Sequence, residues 1–167
     1  MQLENEIGIK IRNEWQKSSL NLLYTYGFLI NGYEAFFKRF GVTSQQYNAL
    51  RILRNEYPNP ISTSGLRDKM LDKMSDTSRL VSRLAAKGFV EVKQNPHDKR
   101  LVNIILSEDG HARLADVDQH LGLLDSLMQN LTEEEASQLS NLLNKARKSI
   151  IAVGKKLKNN SIPTEAN

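Results

Sequence analysis

The sequence predicts a mainly α-helical fold with one small β-hairpin, and three observations lead there. Long stretches near both ends repeat apolar residues at steps of three and four, the period of one helix face. Between them, shorter periodic segments are punctuated by Pro58, Pro60 and Gly88, residues that stop helices. The texture switches only once. Phe89-Val-Glu-Val-Lys93 and Leu101-Val-Asn-Ile-Ile-Leu106 are rich in β-branched residues and flank an Asn95-Pro-His97 tip, so they read as two paired strands.

Residues 4–40 place Ile7, Ile11, Trp15, Leu22, Tyr26, Ile30, Tyr33 and Phe37 on one face of a first helix, which Gly27 and Gly32 weaken and Gly41 ends. Such a helix would be roughly 50 Å long, more stripe than a small domain can cover, so part of it is expected to meet another chain. Thr43-Ser-Gln-Gln46 is a capping box that starts a second helix with Tyr47, Leu50 and Leu53 inward. Ser62 starts a short third helix running to Met70, with Leu66 and Met70 inward. A fourth begins near Ser75 and closes at Gly88, ahead of the hairpin. Ser107 caps a fifth helix, with Glu108 and Asp109 suiting its first turn. Its inward row is Leu114, Val117, Leu121, Leu124, Met128 and Leu131. Thr132-Glu-Glu-Glu135 opens a sixth helix with Leu139, Leu142, Ala146, Ile150, Val153 and Leu157 inward, and residues 158–167 read as a disordered tail.

Composition narrows the chemistry. With 167 residues the chain is long enough for one compact domain with a full core. It has no cysteine, so disulfides, thiolate metal sites and cysteine nucleophiles are excluded. No segment resembles a signal peptide or a membrane span, so a soluble, cytoplasmic chain with no membrane partner is expected. The charge is unevenly spread. Residues 1–43 carry 5 basic and 4 acidic side chains, residues 44–106 carry 11 and 6, and residues 107–167 carry 7 and 9. The basic surplus of the middle third is what an anionic partner would seek. His97, His111 and His120 are scattered; a metal site would need Asp116 or Glu108 brought in by folding, and solvent-exposed histidines are the simpler reading. No nucleophile–base pair, phosphate-cradling glycine loop or metal cluster is present, so neither an enzyme nor a cofactor is expected. Asn159-Asn-Ser161 is a glycosylation sequon without meaning in a cytoplasmic chain.

The middle third, three helices and a hairpin, has the order of a winged helix-turn-helix. Its last helix divides cleanly. Thr77, Leu80, Val81 and Leu84 point inward, while Ser75, Ser78, Arg79, Ser82 and Arg83 share the opposite side. Small polar residues and two guanidiniums can enter a DNA major groove and fork onto guanine edges. A merely solvated face would look similar in isolation. The combination of that helix with the wing and the next helix start is more specific. Ser78-Arg-Leu-Val-Ser-Arg-Leu84, Lys87-Gly-Phe-Val90, Asp98-Lys-Arg100 and Leu106-Ser-Glu-Asp-Gly110 together resemble the MarR family of bacterial transcription regulators, over roughly residues 10–157.

The resemblance implies a helical dimerisation lobe built from residues 1–43 and 107–157, around a winged helix-turn-helix lobe of residues 44–106. It implies a homodimer, usually a repressor, on a pseudo-palindromic operator in double-stranded DNA, released by a small ligand. Ser75, Ser78, Arg79, Ser82 and Arg83 become groove contacts, and Arg100 becomes the wing arginine, assisted by Lys99 and His97. Asp98 would hold the wing tip by bonding loop amides or steadying Arg100, unless it is a plain turn aspartate. The chain departs from the family at two positions. Val92 stands where many members have an arginine, leaving Lys93 as the candidate partner of Asp98. Gly65 stands where an acid or glutamine usually supports the third helix, so that helix start is expected to be weak. An effector cleft tolerant of aromatic or anionic ligands would involve Tyr24, Tyr47 and Arg51, although core packing explains both tyrosines as well. The competing reading is a winged-helix module that docks proteins, since fold does not settle function.

Overall fold

The computed structural model describes residues 6, 8–72, 76–96, 98 and 101–158, which fall into two compact units, Met1–Leu127 and Met128–Asn167. The first unit contains helices α1 (Glu14–Lys38), α2 (Ser44–Glu56), α3 (Thr63–Lys69) and α4 (Thr77–Ala86). Strands β1 (Val90–Gln94) and β2 (Val102–Leu106) then precede α5 (Glu108–Asp118) and the short α6 (Gly122–Asp125), with a 3-10 turn at Ser126–Met128. The second unit is built on α7 (Glu133–Lys158).

The core gathers where all of these sequence patterns overlap. Phe37 from α1, Leu50 and Leu53 from α2, Leu66 from α3, Leu84 from α4, Ile104 from β2 and Leu114 from α5 are fully buried in one cluster. Each such side chain stabilises by roughly 1.5–3 kcal/mol relative to leaving it in water. The capping box of α2 forms as expected, with Gln46 N–H donating to Thr43 Oγ1 and Thr43 N–H donating to Gln46 Oε1, each at 3.1 Å. Glu34 on α1 adds a further tie, because its Oε1 accepts from both the amide and the hydroxyl of Ser44.

Three helices differ from expectation. In the first, the described residues 8–13 are not helical, so the long run begins at Glu14 and Ile11 precedes it. Asn13 takes an extended conformation and caps Gln16 N–H at 2.9 Å, and Gly8 turns the chain at a φ of 63°. The 25 residues that remain span roughly 37 Å. The fifth helix ends at Asp118, and the chain bends before α6, where Gly122 lowers helix propensity. The bend lets Leu121 and Leu124 lie against the core and brings Leu127 onto α1 at Gly32, where a Cβ would stand only 3.1 Å from its methyls. Finally, the row expected to face inward on α7 does not: none of its residues is buried, and Leu142 is 64 % and Ile150 60 % exposed. Its start is as expected, with Thr132 and Glu135 forming a reciprocal box.

The hairpin is antiparallel, in a register that pairs Val90 with Leu106 and Gln94 with Val102. An unexpected third segment joins it. Ile61, just ahead of α3, bridges Ile104 through N–H donations of 3.0 Å and 2.9 Å in the two directions. This explains Gly65. A Cβ there would sit 2.9 Å from Ile61 Cγ1, so glycine leaves the room Ile61 needs to lie over α3. The helix start is not uncapped, because Ser62 Oγ accepts from Gly65 N–H at 3.1 Å.

Candidate nucleic-acid interface

Helix α4 is held firmly at both ends. Asp76 Oδ1 accepts from Arg79 N–H at 3.1 Å to cap its start. At its end Gly88 adopts a φ of 76°, and the amides of Gly88 and Phe89 close onto the carbonyls of Ala85 and Leu84. That pair of bonds is the glycine-terminated stop of a helix. Thr77, Leu80, Val81 and Leu84 are buried, so Ser78, Arg79, Ser82 and Arg83 are presented together to solvent. Ser82 donates its hydroxyl to the Ser78 carbonyl at 3.0 Å. Ser75 lies outside the described residues.

A groove of about 420 Å³ continues this face. It is lined by Thr63, Ser64 and Arg67 of α3, by Asp76, Thr77 and Ser78, and by Leu101 and Val102 at the wing. The α3 residues were missed by sequence reasoning. Arg67, exposed at the flank of the inward Leu66 and Met70, was the signal that could have pointed to them.

The wing is organised by Asn95, also unforeseen. Its amide extends the ladder by donating to the Leu101 carbonyl at 3.0 Å, and its Nδ2 donates to Asn103 Oδ1 at 3.0 Å. Its Oδ1 accepts from Asp98 N–H at 3.1 Å, while the Asp98 carbonyl accepts from Leu101 N–H. The backbone of Asp98 is thus fixed on both sides by the turn. Lys93 is exposed and its Nζ pairs with Glu91 at 2.8 Å; that hydrogen bond, with the attraction of the carboxylate, raises its pKa. Val92 is exposed on the same strand. His97, Lys99 and Arg100 lie outside the described residues.

The three residues expected in one effector cleft are not all brought together. Tyr47 stacks on Phe37 with ring centroids 4.4 Å apart, and Arg51, one turn along α2, donates to Asn48 Oδ1 at 3.1 Å. Burial, and then the negative charge of Asp118, push the Tyr47 phenol above its ordinary range, against smaller opposite pulls from Arg54 and Arg51. Tyr24 instead packs edge-on to Phe28, and its hydroxyl reaches Glu6 at 3.4 Å. By helix rise it lies roughly 20 Å along α1 from the Phe37 that Tyr47 touches. The histidines are not all free in solvent either: His111 is half-buried edge-on to Tyr57 at 4.8 Å, while the exposed His120 donates from Nδ1 to the Asp116 carbonyl at 3.0 Å.

Three helices, a hairpin directly after the last of them, and an exposed basic face on that last helix define a winged helix-turn-helix module of the DNA-binding kind. Comparison with known proteins makes the class specific. The MarR family model matches residues 42–102. The multiple antibiotic resistance protein MarR of Salmonella typhimurium is 32 % identical over 106 residues, spanning 62 % of this chain and 72 % of that protein. The transcriptional repressor YetL of Bacillus subtilis is 25 % identical over 111 residues, 66 % of each chain. Among solved structures, a mutant MarR from E. coli complexed with operator DNA superposes with a TM-score of 0.72 at 26 % identity, covering 83 % of this chain and 99 % of that one. The chain belongs to the MarR family. It is a DNA-binding transcription regulator and not an enzyme.

Proposed function

We propose that the chain is a homodimeric repressor that reads a pseudo-palindromic operator with α4 in the major groove. The observation that carries this reading is the division of α4. One face is committed to the core, and the other offers two serines and two arginines with nothing large between them. Ser75 is proposed to extend this contact at the start of the helix, and Lys93, His97, Asp98, Lys99 and Arg100 to bring the wing to the flanking minor groove. Thr63, Ser64 and Arg67 add phosphate contacts along the adjoining groove. MarR and YetL, named respectively for antibiotic resistance and for repression, support regulation by DNA occupancy.

The dimer is supported by apolar surface with no use in a lone chain. Leu23, Tyr26 and Phe28 on α1 are exposed, as are Leu142, Ile150, Val153 and Leu157 on α7. A two-fold dimer then requires a two-fold operator. Among the described residues no helix is long and apolar enough to cross a membrane, which is compatible with work in the cytoplasm. Release by a small ligand, aromatic or anionic, is proposed at Tyr47 and Arg51, where an aromatic stack lies beside a guanidinium.

Selection of bound genomic fragments, followed by footprinting and sedimentation, tests the reading. The expected result is a protected sequence with two inverted half-sites about one helical turn apart, bound by two chains with affinity falling steeply as salt rises. Enrichment of no sequence, or binding indifferent to salt, would overturn it. Growth in the presence of candidate ligands with a reporter behind the selected operator then gives the sign of regulation.

A further inference from the structure

Lys87 is the last residue before the left-handed glycine that closes α4, and its side chain leaves the helix to reach another part of the lobe. Its Nζ donates to the Gly41 carbonyl at 2.6 Å and to Gln46 Oε1 at 3.1 Å. Gly41, at a φ of 68°, is the turn that ends α1, and Gln46 is the buried glutamine of the α2 capping box. One ammonium therefore joins the end of α4 to the end of α1 and the start of α2. A cation at that place also meets the carbonyl-rich end of a 25-residue helix, where positive charge is favoured. Gln46 Oε1 accepts from Thr43 N–H as well, so one oxygen completes the cap and receives the lysine.

We propose that Lys87 is a positioning residue for DNA reading. Its ammonium fixes the angle between α4 and α1 and so sets the separation at which two copies present their reading helices. This rests on the proposed dimer with α4 as reader, and it makes half-site spacing a property of a residue that touches neither DNA nor the second copy. Without the tie, α4 still has its buried face, both caps and its exposed side chains. What is lost is the fixed relation between reader and dimer arm.

The test uses the full chain with Lys87→Met, which keeps the length of the side chain and removes its donors, and Lys87→Arg, which keeps the cation. Gln46→Glu is the complementary variant, since glutamate also closes a capping box and offers Lys87 a carboxylate. Binding is measured on a duplex with the selected half-sites at native spacing, on duplexes with one base pair added or removed, and on a single half-site. Lys87→Met is expected to bind the single half-site as the wild type does, with the same salt slope, because no phosphate contact has been lost. On native spacing it should lose about tenfold, and its preference among spacings should flatten, because two half-sites cooperate only when protein and DNA geometry match. Lys87→Arg should restore most of the preference, and Gln46→Glu should retain it. A uniform loss on all duplexes with a shallower salt slope would make Lys87 a phosphate contact and overturn the proposal, as would unchanged discrimination by a folded Lys87→Met. A wild-type chain indifferent to spacing would overturn the dimeric reading and this proposal with it.

Discussion

Ser82 uses its only hydroxyl proton on the Ser78 carbonyl, so toward a groove it presents lone pairs alone. While that bond holds, it can accept from the exocyclic amines of adenine or cytosine but does not donate. The charged donors on this face are the guanidiniums of Arg79 and Arg83, both exposed and one turn apart. Arg79→Ala and Arg83→Ala should each leave the melting temperature nearly unchanged while weakening operator binding by about 1–3 kcal/mol for a contact to guanine. A contact to phosphate would instead weaken all sequences alike and flatten the salt slope. Equal affinity in both variants would remove α4 as the reader. At Tyr47 the folded state holds the phenol proton more tightly than the unfolded chain, whose ordinary value is about 10. Stability from this group is therefore present below that value and declines as pH rises from it through the folded pKa. Tyr47→Phe should lose less stability than the wild type across this interval, read by denaturant melts at each pH. The face of α4 was legible because a period of 3.6 depends only on local spacing. Asn95 and Lys87 were not, since each acts through partners that folding brings in.

Among elements, the third helix and the fifth both depend on glycine for reasons that helix propensity would not suggest. Gly110 lies in the first turn of α5, where a Cβ would stand 2.2 Å from the Phe89 carbonyl oxygen and 2.6 Å from Leu106 Cδ1. The close approach is locked by Ser107, whose hydroxyl donates to the Gly88 carbonyl at 2.6 Å and accepts from Gly110 N–H at 3.0 Å. The family motif Leu106-Ser-Glu-Asp-Gly110 is thus a joint between strand, turn and helix. Gly110→Ala should destabilise by about 3 kcal/mol or more, since backbone must move. Gly65→Ala should also lower the melting temperature, by less, although alanine is favoured over glycine by about 1 kcal/mol inside a helix. A thermal melt that rose for Gly65→Ala would mean that Ile61 yields freely. The breaks at Asn13 and Asp118 were hidden because an apolar period continues across both, and periodicity reports a face without reporting where the chain bends.

At the scale of the molecule, the core is drawn from Phe36 through Val117, while the first half of α1 and all of α7 bury nothing. If a second copy covers those faces, stability becomes tied to concentration. Each tenfold dilution should then cost about 1.4 kcal/mol per dimer and lower the melting point by roughly 2–4 °C. A melting point independent of concentration would argue for a stable monomer. Removing residues 1–16 or 140–167 should likewise turn dimers into monomers in sedimentation, and a well-folded dimer after both deletions would contradict the assignment. The fold class was readable because a helix–hairpin order and a run of motif residues survive in the linear text. The surplus of apolar face on α7 was readable too, but the exposure of its whole row was not, since periodicity marks a face without saying what covers it.

The bridge between Ile61 and Ile104 gives the DNA-facing lobe a mechanical character. Ile61 is one residue ahead of the Ser62 cap of α3, and Ile104 lies mid-strand in the wing. Under the proposed reading, a load on the wing from a minor groove would pass through these two backbone hydrogen bonds into the root of α3, where Gly65 lets Ile61 seat closely. If α4 and the wing meet DNA as proposed, wing and α3 are expected to move together, so a DNA that bends to meet the wing would also have to accept the angle of the reader.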